Sequence, residues 1–275
     1  MVGGDYRDAK DAFLALELIH NGTLVHDDII DEDLFRRGTP SVPVKFGGKR
    51  AVLTGDALLS LGLKYAAKTG RPSIVDWLSE AALKMVQGVA LQTLYRRQLV
   101  SEEEYLYINY LKSGSLFETA AVLGGLMVKD DESVAEDLAS FGMHFGNAYQ
   151  IRDDICGVYA ENRDDELSRN DLLNGDISLP MIYALDSDRM TEGDRVNLLS
   201  VYSGEWESID LEYVQEVYEE TGALERSIGK MKGFAEEARG HLLRFEDTEA
   251  REFLEQLINQ FYRDFSPADR LKVII

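Results

Sequence analysis

The sequence predicts an all-α protein, a bundle of long helices without a substantial sheet. Three observations carry that expectation. Apolar residues recur at helical spacing along most of the chain, and β-branched runs of period two are almost absent. Only five prolines occur, and four of them stand at breaks between long periodic segments. A chain of 275 residues can bury about three quarters of its unfolded surface. No Gly-, Ser- or Pro-rich linker divides it, so residues 1–275 are expected to form one domain.

Residues 8–31 place Phe13, Leu14, Leu16, Leu18, Ile19, Leu24 and Val25 on a helical pattern, weakened midway by Gly22 and Thr23. Residues 36–50 hold three glycines and two prolines and read as a loop. A helix from about 51 to 67 stops at Thr69-Gly70-Arg71-Pro72, and another covers about 73–97. Ser101 with Glu104 forms a capping box that opens the next helix. Residues 134–160 are a long helix whose stripe is Phe141, Phe145, Ala148, Tyr149, Ile151 and Ile155. A polar loop spans 161–177, and helices near 179–186, 191–203, 208–221, 222–243 and 248–263 complete the chain. Segment lengths differ and no 34- or 40-residue signature recurs, which sets a helical solenoid aside.

Charge narrows the partners. Fifty acids against 29 Lys and Arg leave a formal charge of -21, which opposes any broad grip on nucleic acid or an anionic membrane. An anionic ligand would need metal ions or a local cluster of Lys and Arg. Cys156 is the only cysteine, so no intramolecular disulfide forms, and a reducing compartment is expected. No signal peptide and no run of 18 apolar residues is apparent; a soluble, cytoplasmic protein without a transmembrane segment is the expectation.

The most informative stretch is His26-Asp27-Asp28-Ile29-Ile30-Asp31. On a helix Asp27 and Asp31 point the same way with Asp28 beside them, an arrangement that repels itself unless cations occupy it. Carboxylates are hard ligands suited to Mg²⁺, above all when the ion also binds phosphate. Taken alone, such a cluster reads more readily as a solvated acidic helix face. Arg36 and Arg37 follow five residues on, offering the forked donors that clasp diphosphate oxygens. A second acidic pair, Asp153-Asp154, closes an apolar stretch with Gln150 one turn earlier. Two carboxylate clusters facing across a bundle could hold Mg²⁺ around a diphosphate leaving group.

Four stretches, LELIHNGTLVHDDIIDEDLFRRGTPSVPVKFGGKRAVLTGDALL, YLKSGSLFETAAVLGG, FGMHFGNAYQIRDDICGVY and NDLLNGDISLPMIYAL, resemble the trans-isoprenyl diphosphate synthases, the polyprenyl synthetase family. They occur in that family's order between residues 8 and 186. The resemblance implies an isoprenoid-synthase-type helical bundle and a Mg²⁺-dependent prenyltransferase. Such an enzyme ionises an allylic diphosphate, joins it to isopentenyl diphosphate and lengthens it by five carbons per cycle. It further implies Asp27, Asp28 and Asp31 as the first metal motif, with Asp153 and Asp154 at the second. Arg36 and Lys112 would hold the allylic diphosphate, and Arg37 that of isopentenyl diphosphate. Gln150 matches a second-motif position, and Tyr149 replaces the usual Phe before it. Gly22 and Thr23 stand where bulky residues would shorten the product, so C20 or longer is implied; Gly22 reads equally as a helix-packing residue.

Several departures bear on activity. Gly157 stands where a third aspartate is expected, and Glu166 and Asp176 where lysines are expected. Ser113 replaces Thr, Val89 and Gln92 replace the polar pair of a GQxxD helix, and Pro43 falls near a usual His. Asp27 lies 26 residues from Met1, where the family carries further helices with a basic GKxxRP motif. Two accounts follow: an active synthase, or a catalytically impaired homologue acting as partner or regulatory subunit of a full-length one. The family implies a homodimer, and Tyr105, Tyr107 and Tyr110 are expected on a helix that packs against the second subunit. His20 and His26 read as helix-packing residues, Cys156 as a small core residue, Trp77 and Trp206 as core or interface, and Leu271–Ile275 as a docking tail.

Overall fold

The computed structural model describes residues 1–5, 7–128, 132–159, 172, 174–204 and 211–263. Glu166, Trp206 and the tail 271–275, with most of the expected 161–177 loop, lie outside the described residues. The helices follow the periodicity. They are α1 (Lys10–Ile30), α2 (Val42–Phe46), α3 (Gly48–Lys68), α4 (Pro72–Tyr95), α5 (Glu102–Asn109), α6 (Ser115–Leu126) and α7 (Glu132–Tyr159). After these come α8 (Leu179–Leu185), α9 (Glu192–Ser203), α10 (Leu211–Glu220), α11 (Ala223–Leu242) and α12 (Glu249–Arg263). Among the described residues the sheet content is one hairpin, β1 (Phe35–Arg36) with β2 (Thr39–Pro40). None of the described helices is long and apolar enough to cross a membrane.

Punctuation residues set the boundaries. Gly70 has φ +67 and Pro72 occupies the first turn of α4, where its missing N–H costs nothing. At α5, Ser101 Oγ accepts from Glu104 N at 3.2 Å while Glu104 Oε2 accepts from Ser101 N at 2.8 Å, both halves of the expected capping box. The 36–50 stretch is more ordered than its composition suggests. Arg37 (φ +52) and Gly38 (φ +71) make the two-residue turn of the hairpin, whose left-handed pair matches strand twist. Ser41 Oγ then donates to Asp33 O at 2.5 Å, α2 follows, and α3 begins three residues earlier than expected because Gly47 (φ +87) turns the chain.

Two apolar clusters flank the centre of the molecule. In one, Ala12, Ala15 and Ile19 of α1 meet Ala66, Ile74, Leu78, Met85 and Leu123 from α3, α4 and α6. The other gathers α7 with α8–α12 around Ile151, Ile155, Leu179, Tyr218, Met231 and Leu242. α1 and α3 interlock through glycines: a Cβ on Gly55 would meet the His26 ring at 2.2 Å, and one on Gly62 would meet Ile19 at 2.6 Å. Gly22 packs against Gly55 O and Leu59. This is the helix-packing role open to it in the sequence. Trp77 is half-buried against the first cluster, and Cys156, a free thiol, against the second.

Residues 102–126 do not form one helix. A π-turn, Tyr110–Gly114, separates α5 from α6 and carries Lys112 and Ser113. Its backbone passes so close to α4 that a Cβ on Gly88 would lie 2.6 Å from Lys112 N. The three tyrosines have different surroundings. Tyr105 is buried, Tyr110 donates to Glu118 at 2.7 Å and accepts from Lys84 at 2.6 Å, and Tyr107 alone of the three is exposed, at 55%. The expected tyrosine face on α5 is therefore not formed.

Gly88→Ala should cost about 1–3 kcal/mol in denaturant unfolding, since backbone must shift to admit the methyl. Gly240→Ala, where a Cβ meets nothing within 4 Å, should instead raise stability by about 0.5–1 kcal/mol.

Candidate active site

The acids Asp27, Asp28 and Asp31 occupy the last turn and cap of α1, which carries no basic residue there. Negative charge at a helix C-terminus opposes the helix dipole, so cations must come from elsewhere. Arg36, on β1, reaches back to Asp28, and its Nη2 donates to Asp33 Oδ2 at 3.0 Å. Asp28 and Asp33 are buried and hold this guanidinium in place. Arg96, at the end of α4, donates to Asp31 and lies 2.9 Å from Asp176 Oδ1. Asp27 differs from its neighbours: its Oδ1 is buried with no hydrogen-bond partner. Burial pushes the Asp27 carboxyl above its ordinary range, against the pull of Lys112.

The opposite wall is α7. Asp153 looks into the cleft, where the surrounding protein raises its carboxyl pKa and Lys112 again opposes the rise. The Lys112 ammonium thus lies within the fields of Asp27 and Asp153 from two helices. Beside it a chain of hydrogen bonds fixes Gln150: Ser113 Oγ donates to Gln150 Oε1 at 2.6 Å, and Gln150 Nε2 donates to Asp154 Oδ1 at 2.9 Å. Tyr105 donates to the other Asp154 oxygen. Both Asp154 oxygens are therefore engaged within the protein, and full burial pushes its carboxyl up to about 7. Asp154 lines a small cavity of mixed character with Gln92, Asn109, Gly157, Asp176 and Ser178.

From Asp27 and Lys112 an apolar cavity of about 890 Å³ runs between the helices. α1 contributes Leu16, Glu17, His20, Thr23 and Leu24, and α4 contributes Met85, Val86, Val89, Ala90 and Thr93. Leu116, Phe117, Ala120 and Tyr149 close the far side, with the Phe117 and Tyr149 rings 5.2 Å apart. Asp27 to Glu17 is ten residues of helix, a depth of roughly 15 Å. Thr23 lines the cavity; Gly22 faces α3. His20 and His26 both belong to this wall, and His26 also packs on α3, with Nε2 3.2 Å from Val52 O.

Arg96 escaped the sequence reading. An Arg pair ending a helix reads as a solvated terminus, and its partner Asp176 lies 80 residues on. Asp176, expected as a second uncompensated anion, is buried against that guanidinium, so its charge is balanced locally. Val89 in place of a polar residue adds to the apolar wall, and Gln92 faces the small cavity.

The donor set fits a hard divalent cation. Asp27 offers a buried, unpartnered carboxylate oxygen, and Asp153 stands across the cleft. Among the described residues no three acidic, His or Cys side chains converge closely enough to hold an ion by themselves. Mg²⁺ takes part of its oxygen shell from phosphate ligands and water, so a bound diphosphate would supply ligands beside these carboxylates. A profile of the Polyprenyl synthetase family matches residues 2–221. The chain belongs to the polyprenyl synthetase family. It is 32% identical over 261 residues to a short chain isoprenyl diphosphate synthase of Methanothermobacter thermautotrophicus, covering 92% of this chain and 79% of the relative. It is 34% identical over 236 residues to a geranylgeranyl diphosphate synthase of Saccharolobus solfataricus, covering 79% and 68%. Among solved structures, geranylgeranyl pyrophosphate synthetase from Pyrococcus horikoshii superposes with a TM-score of 0.85 at 28% identity, over 95% of this chain and 81% of that one. A polyprenyl synthase from Caulobacter crescentus, complexed with calcium and isoprenyl diphosphate, gives 0.84 at 25%, over 94% and 85%. The all-α isoprenoid-synthase bundle is thereby established for this member of the polyprenyl synthetases.

Asp154 gives a pH signature. Its folded-state pKa of about 7 exceeds the usual 3.8, so the metal-free native state binds more protons than the unfolded state between them, and stability falls as pH rises across that interval. Asp154→Asn should flatten the decline: thermal melts should match wild type near pH 4 and exceed it at pH 7.5.

Proposed function

We propose that this chain is a Mg²⁺-dependent prenyltransferase that condenses isopentenyl diphosphate with an allylic diphosphate to give a polyprenyl diphosphate of C20 or longer. One observation carries the reading: Asp27 and Lys112 meet at the mouth of a deep apolar cavity, with Asp153 within the electrostatic reach of the same ammonium. The cavity suits a hydrocarbon and the charged mouth a diphosphate. Asp27, Asp31 and Asp153 would hold Mg²⁺, which when bound neutralises charge developing on the departing diphosphate. Lys112 and Arg36 grip the allylic diphosphate, Arg37 that of the second substrate, and the chain through Ser113, Gln150 and Asp154 fixes the Gln150 amide. Apolar walls exclude water while the allylic carbon–oxygen bond breaks. The rings of Phe117 and Tyr149 offer π-faces to the allylic cation. The isopentenyl double bond attacks that carbon, and a proton leaves to the released diphosphate.

Asp28 supports the site through Arg36, and Asp154 through Gln150 and Tyr105. Outside the cavity, Leu53 of α3 and Leu83 and Leu94 of α4 stand exposed, which supports a homodimer joined through those helices.

Purified protein given Mg²⁺, isopentenyl diphosphate and C5, C10 or C15 allylic diphosphates should elongate them, and Asp27→Ala should lower kcat at least about a hundredfold. Metal-dependent allylic binding without elongation would replace this reading with that of an impaired partner subunit. Thr23→Phe should shorten the principal product by one or two isoprene units by filling the cavity at its midpoint. Light scattering at micromolar concentration should return twice the monomer mass.

A further inference from the structure

Arg96 is one cation shared by two acids that meet across the fold. Its main chain leaves α4 at ψ 133, and the next residue, Arg97 (φ +60), donates its N–H to Gly175 O at 2.8 Å. The helix end is thus tied by backbone to the segment that bears Asp176. The guanidinium donates to Asp176 through Nε at 2.9 Å and Nη2 at 3.2 Å, and the same Nη2 also donates to Asp31. All three side chains are shielded, with exposures of 18% for Arg96, 13% for Asp31 and 6% for Asp176.

The sharing is unequal. Asp176 receives the fork, which fixes both position and plane; Asp31 receives one donor that already serves another acceptor. A divalent cation approaching Asp31 competes only for that single bond. Once Asp31 is released, the guanidinium still has a buried carboxylate in bidentate contact and is not stranded in the protein interior.

We propose that Arg96 is a positioning residue that holds the Asp31 carboxylate in the metal-free chain and yields it to the cation, with Asp176 as the acid that retains Arg96 afterwards. This rests on reading Asp31 as a cation ligand. Arg96 and Asp176 then act in opposite senses on metal uptake. Arg96 competes with the metal for Asp31, and Asp176 weakens that competition by drawing the guanidinium away.

The test measures the Mg²⁺ concentration that half-saturates binding of inorganic diphosphate, by calorimetry and by thermal shift, with no turnover required. Arg96→Gln should lower that concentration by about tenfold, the worth of one charge-assisted hydrogen bond. Asp176→Asn should raise it, because the guanidinium charge is left to Asp31 alone. Arg96→Lys, which keeps the charge without the fork, should fall between Arg96→Gln and wild type. Circular dichroism of each metal-free variant checks folding, and should Arg96→Gln fail to fold, the isosteric Asp176→Asn and Arg96→Lys supply the comparison. Shifts of the same sign at the two positions, or none, would overturn the inference while leaving the site reading intact. Absence of Mg²⁺-dependent diphosphate binding by the wild-type chain would overturn both.

Discussion

Everything in this molecule is arranged around the cost of placing several carboxylates together in a half-buried cleft. Asp27, Asp28 and Asp31 crowd the wrong end of α1, Asp153 and Asp154 face them from α7, and Asp176 closes the set. Burial raises the carboxyl of each of Asp27, Asp28, Asp153, Asp154 and Asp176. The fold answers with three cations from three directions: Arg36 from the hairpin, Lys112 from the π-turn and Arg96 from the end of α4. The irregular backbone of the first half stands where these cations are delivered.

The division of labour among the acids follows from that arrangement. Carboxylates whose oxygens are engaged inside the protein, Asp28 and Asp154, brace other side chains. Those facing the cleft, Asp27 and Asp153, keep capacity for a ligand. Two motifs that look repetitive in sequence are thus unlike in physics. Chemistry at neutral pH needs carboxylates of both kinds, because a metal ligand that also had to hold the architecture could not move.

Much of the fold was legible because its punctuation is local. Prolines and glycines at 69–72, the box at Ser101 and Glu104, and the stripe of α7 each lie within one helical turn of what they determine. The DDxxD spacing and the Arg pair after it were legible for the same reason. Three features were not. The π-turn at Tyr110–Gly114 has the composition of ordinary helix, and the close approach it makes is to Gly88 on another element. The hairpin at Arg37-Gly38 has strands too short for alternation to register. The Arg96–Asp176 pair joins positions far apart, and nothing near either residue in the chain pairs Asp176 with that guanidinium. Local rules find the acids; long-range packing decides which cation meets which.

The close contact of Gly88 with the Lys112 backbone carries one more implication. The helix that walls the hydrocarbon cavity through Val86, Val89 and Ala90 bears directly on the turn that presents the ammonium. Widening the channel by reshaping α4 would therefore disturb the grip on the head group as well. α1 has no such joint at Thr23, whose side chain reaches the cavity one turn before the acids begin. A change of tail length that spares the Lys112 turn is therefore better made at Thr23 on α1 than on α4.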